Sequence, residues 1–119
     1  MNAVLFKIAV IFLLVAGEAL AIYSETIAAK TYSVASQNFF VVFTQGFIVI
    51  TCAGVLIIYG YMISYRIFNN IWVVNALSLT SILIAEPLIG YIVFQQLPTR
   101  GAFIGLILGT LGFISVLIL

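Results

Sequence analysis

Two carboxylates stand out for where they fall: Glu18 lies late in an apolar run over residues 3–23, and Glu86 lies inside another over residues 71–94. A charged side chain at the centre of a bilayer costs roughly 2.5–3.5 kcal/mol on insertion scales, and is retained chiefly where it faces a bundle interior or a water-filled cavity. Burial disfavours the charged form of a carboxyl group, so an acid in such a place can trade a proton for a cationic ligand near neutral pH. Glu18 is the first candidate for that exchange and Glu86 the second. The plainer alternative is that either acid reaches the interface or bonds a neighbouring helix.

The surroundings of Glu86 add to its case. Pro87 follows it, cannot donate to the carbonyl of Leu83, and tends to kink a helix at that point. Asn75, Ser78, Thr80 and Ser81 precede it, and such side chains either line a substrate pathway or bond helices together, the second being commoner. Other chemistry has little to work with. The chain has no histidine, its single Cys52 lies in an apolar run and reads as a small core residue, and no nucleophile stands beside a base. No metal site, cofactor or enzymatic activity is expected.

The elements that must position these residues follow from composition. Of 119 residues, 66% are hydrophobic and 6% charged, whereas a soluble domain has roughly a quarter of its residues charged. Lipid must be the solvent. A net charge of +1 offers nothing to a nucleic acid. The charged residues Lys7, Glu18, Glu25, Lys30, Arg66, Glu86 and Arg100 are separated by helix-sized intervals. A spanning helix needs about 20 mostly apolar residues, and no alternating pattern for spanning strands appears. The expectation is an all-α integral membrane bundle of four transmembrane helices, over about residues 3–23, 39–65, 71–94 and 101–119. The loops are expected over 24–38, 66–70 and 95–100, the last with Pro98, and they leave consecutive helices antiparallel within a single domain.

The start also resembles a secretory signal, with Lys7, an apolar stretch and then Ala19-Leu20-Ala21. Glu18 sits badly in such a signal, so the first helix is expected to stay, with Lys7 snorkelling to the interface. Measured from the expected helix ends, Glu18 and Glu86 differ in depth by only roughly 5 Å, close enough to line one cavity.

Lys7 and Arg66 share one side of such a bundle and Lys30 and Arg100 the other, so basic residues give no preference for orientation. Insertion both ways up, and pairing of opposed copies into an inverted repeat, is then as open as a single fixed orientation. Helix four carries Gly105, Gly109 and Gly112 at spacings of four and three, a small-residue seam suited to helix association, within one chain or between two. Tyr59, Tyr61, Tyr65 and Trp72 bracket the second turn and read as an interfacial aromatic belt rather than a stacking site.

The stretch Phe94-Gln95-Gln96-Leu97, followed by Ala102, Ile104 and Gly105-Leu-Ile-Leu-Gly-Thr-Leu-Gly112-Phe113, is similar to the third loop and fourth helix of the small multidrug resistance family, within the drug/metabolite transporter superfamily. The resemblance implies an antiparallel homodimer in a prokaryotic inner (plasma) membrane, held partly through Gly105 and Gly112. It also implies a first-helix glutamate that binds protons and a small hydrophobic or cationic solute in alternation. In that register the family's glutamate position falls on Leu14, one turn from Glu18, and its third-helix tyrosine and tryptophan fall on Asn75 and Ser78. Other small members of the superfamily, which this chain resembles in lacking those aromatics, translocate lipid-linked sugars on polyprenyl phosphate. For that anionic substrate Lys30, Arg66 or Arg100 would be the useful residues, set against the plainer roles of topology and contact with membrane lipid. A third reading is an accessory subunit that fills a larger membrane complex and transports nothing.

Overall fold

The computed structural model describes residues 2–34 and 36–119, apart from the side chain of Leu117. It is all-helical, with α1 over Asn2–Tyr32, α2 over Phe39–Phe68, α3 over Ile71–Phe94 and α4 over Arg100–Ile118. By length and composition α1, α2 and α3 can each cross a membrane, and α4 is the shortest of the four. Exposed Phe, Ile, Leu and Val side chains cover the outside of the chain, a surface matched to hydrocarbon.

The first helix does not stop at Tyr23. It runs on to Tyr32, through residues expected to form a long loop. The polar side chains there satisfy themselves without breaking the helix: Thr26 Oγ1 donates back to the Ile22 carbonyl at 2.7 Å, and Ser24 Oγ donates across to the Gly46 carbonyl of α2 at 2.8 Å. Neither glycine nor proline interrupts the segment, and Ala28 and Ala29 favour helix.

The remaining ends are set by short polar side chains. Asn38, Asn70 and Thr99 each cap the helix that follows, accepting from Phe40 N, Trp72 N and Ala102 N respectively. Asn69, at φ 54°, and Gln95, at φ 56°, close α2 and α3 in the left-handed region and donate their backbone N–H to the Tyr65 and Tyr91 carbonyls. Asn69 and Asn70 therefore end one helix and start the next within two residues.

The packed part of the molecule is α1 against α2, with α3 laid along α1. Along the α1–α2 seam small residues permit close approach. A Cβ added to Gly17 would lie 2.8 Å from Ile57 Cγ1 and 3.2 Å from the Ile57 backbone nitrogen, and one added to Gly60 would lie 2.9 Å from Leu14 Cδ2. Leu14, Ala53 and Ser64 are fully buried. Cys52, expected in the core, is exposed, because its neighbour Ala53 takes the inward position and the helix turns Cys52 away. Helix α4 packs, among the described residues, only on α3.

Candidate functional site

Glu18 sits on α1 where that helix meets α3, half-buried, and its Oε1 accepts a hydrogen bond from Ser78 Oγ. Ser78 itself is buried. Flanking buried residues are Leu14, Gly17 and Ile22 on α1 and Val74, Ala76 and Ser81 on α3. The carboxyl group of Glu18 is thus held within a spanning segment, between α1 and α3, with one hydroxyl donor from the opposite helix. A hydroxyl suits either protonation state, since it donates to a carboxylate and can turn to accept from a carboxylic acid.

Of the other polar residues on α3, Thr80 Oγ1 donates to the Ala76 carbonyl at 2.7 Å and Ser81 Oγ to the Leu77 carbonyl at 2.9 Å. Both hydroxyls are thus engaged within their own helix, and Ser78 alone of the three reaches across. Asn75 is half-buried and lines a gap between α3 and α4 with Trp72, Leu79, Gly112 and Phe113.

Glu86 is in a different place. It is exposed, makes no hydrogen bond or ion pair among the described residues, and lines an open groove of about 560 Å³ with Pro87, Gly90 and Tyr91 of α3 and Ala102 and Gly105 of α4. Because Glu18 is level with Ser78, Glu86 lies about two turns, or ~12 Å, further along α3. The expectation of one cavity shared by both acids fails on this geometry. The reason is that α1 continues to Tyr32, so Glu18 lies deeper than a helix ending at Tyr23 would place it. Pro87 is accommodated inside α3, which continues as one helix to Phe94, so the Leu83 carbonyl lacks its usual helical donor.

The glycines of helix four line the gap toward α3. A Cβ on Gly109 would meet Leu83 Cδ2 at an ordinary 3.5 Å, whereas one on Gly105 or Gly112 would meet nothing within 4 Å. Leu83 and Gly109 line the pocket at Asn75, and Gly105 lines the groove at Glu86, so the α3–α4 gap holds two openings.

Lys30, weighed from sequence as a phosphate ligand, donates from Nζ to the Val93 carbonyl at 2.6 Å and closes the C-terminal turn of α3. The close approach of α1 and α2 at Gly17 and Gly60 was not singled out from sequence. The Gly17–Gly60 crossing carried a readable signal: Gly46, Ala53 and Gly60 recur every seven residues along α2, the repeat of a helix seam.

No family model matches the chain, no curated protein matches it, and no solved structure matches it. The class the fold defines is therefore a helical protein whose three longest helices are long and apolar enough to cross a membrane.

Proposed function

We propose that the chain is a four-helix membrane transporter of the drug/metabolite type, with α4 as the fourth span, in a prokaryotic inner membrane. It exchanges protons for a small or amphipathic solute by alternating access, as a dimer, with Glu18 as the coupling acid. The observation that carries this reading is the carboxyl group of Glu18 held within a spanning segment against a donor on another helix, Ser78. An acid that served only to reach the interface would have no use for a buried serine at that depth. Dimer formation is supported by α4, which meets only α3 among the described residues and leaves most of its side chains exposed. The resemblance of the third loop and the fourth-helix glycines to small multidrug resistance proteins points the same way.

The test is proton release from purified protein near neutral pH on addition of hydrophobic cations or of a polyprenyl-phosphate sugar. Release is expected from wild type and Glu86→Gln and abolished in Glu18→Gln. Abolition in Glu86→Gln alone would move the coupling role to the α3–α4 groove. Absence of binding and release in folded wild type would instead favour an accessory subunit, a reading to which the loosely attached α4 also lends itself.

A further inference from the structure

One face of the molecule combines an apolar cleft with a single cation. Where the first half of α1 runs beside the last part of α2, two adjoining cavities of about 490 and 170 Å³ share Phe6, Tyr59 and Ile63 as walls and so form one continuous cleft. Its outer end is lined by Arg66, in the last turn of α2, and its inner end by Ala9 and Leu13 of α1. From Arg66 to the level of Tyr59 is about two turns of helix, or ~10 Å, measured inward from the helix end.

We propose that this cleft holds one anionic glycerophospholipid, with the phosphate on Arg66 and an acyl chain laid between Phe6, Ile63 and Leu13. Three observations select that occupant. The charge sits at a helix end, the level of headgroups, and the apolar part extends from it toward the membrane centre, which is the layout of a lipid. The guanidinium of Arg66 is exposed and makes no ion pair among the described residues, so its planar donors are available to a phosphate. No Asp or Glu side chain competes at this end of the bundle: Glu18 and Glu86 lie within the spans and Glu25 lies toward the opposite end of α1. The other cation of this end, Lys7, stands 5.7 Å over the Phe68 ring and does not line the cleft. A second copy in the same orientation would not fill the site, since its own Lys7 and Arg66 would be brought against Arg66. The assignment is independent of the transport reading, because neither Glu18 nor Ser78 takes part.

The experiment is native mass spectrometry of purified protein exchanged into equal amounts of phosphatidylglycerol and phosphatidylcholine, with helical content checked by circular dichroism. Wild type is expected to retain one phosphatidylglycerol per chain at a roughly fivefold preference, the weight of one basic side chain at an anionic surface. Arg66→Gln should bring the preference close to unity, while Lys7→Gln, which removes an equal charge from the same end, should leave it unchanged. Ala9→Phe fills the inner end from an exposed position and should lower retention of both lipids. Equal retention of the two lipids by wild type, or equal loss of preference in Lys7→Gln and Arg66→Gln, would overturn the proposal in favour of diffuse surface attraction. Complete displacement by an equimolar polyprenyl monophosphate would overturn it in favour of a prenyl-carrier site.

Discussion

The α1–α2 seam and the α3–α4 gap are both lined by glycine, and they use it in opposite ways. At Gly17 and Gly60 the neighbouring helix stands where a Cβ would be, whereas at Gly105 and Gly112 there is open space. Glycine spacing alone therefore does not say that two helices touch. What separates the two regions is the company the glycines keep: the first seam adds a hydrogen bond from Ser24 to the Gly46 carbonyl and full burial of Leu14 and Ala53, whereas of the three α4 glycines that line the second only Gly109 has a side chain, Leu83, within reach of an added Cβ. The acids divide along the same line. Glu18 belongs to the packed three-helix part, and Glu86 opens onto the loose one.

The comparison is broken most directly at Gly17. Alanine there must displace the Ile57 backbone as well as its side chain, and overpacking of that kind costs about 1–3 kcal/mol. Gly17→Ala should lower the unfolding free energy in mixed micelles by that amount. Gly60→Ala should cost less, since the group it meets is the flexible end of Leu14. Loss of nothing at Gly17 would mean that the two seams are equally loose.

The next effect is smaller and local. Lys30→Met removes the donor to the Val93 carbonyl and the positive charge near the C-terminus of α3, a change of about 0.3–1 kcal/mol for a cation at a helix end. Hydrogen exchange should quicken in the last turn of α3 and leave the Gly17–Gly60 crossing untouched. Ser24→Ala, which removes a hydrogen bond between helices, is expected to cost about 0.6 kcal/mol, the average for such bonds in membrane helices.

How much of this could be read from the residues differs by region. The existence and approximate limits of α2, α3 and α4 follow from apolar runs separated by polar turns, whereas the capping by Asn69, Asn70 and Thr99 that fixes their ends emerges only from the structure. The end of α1 was not legible, because Ser24, Glu25, Thr26, Lys30 and Thr31 look like a loop by polarity. Serine and threonine can bond to carbonyls of their own or an adjacent helix, and a polarity profile does not record that. For the candidate site, Glu18 and Ser78 were both identifiable as residue types, but their pairing depends on the relative slide of α1 and α3, which no local pattern encodes. The same slide removed Glu86 from the vicinity of Glu18.

The smallest expected effect sharpens the comparison most, because it separates a glycine kept for packing within the chain from one kept for something outside it. With open space around the added methyl group, Gly105→Ala and Gly112→Ala should cost the monomer no stability, and alanine's better helix propensity adds at most about 1 kcal/mol in its favour. Unfolding measured at high detergent ratio, where chains are diluted from one another, isolates that term. Repeated at low detergent ratio, the same substitutions report on pairing: a destabilisation seen only there belongs to contact between copies through α4. A loss seen equally at both ratios would instead show α4 closing onto α3 within one chain, with Gly105 and Gly112 serving the same purpose as Gly17.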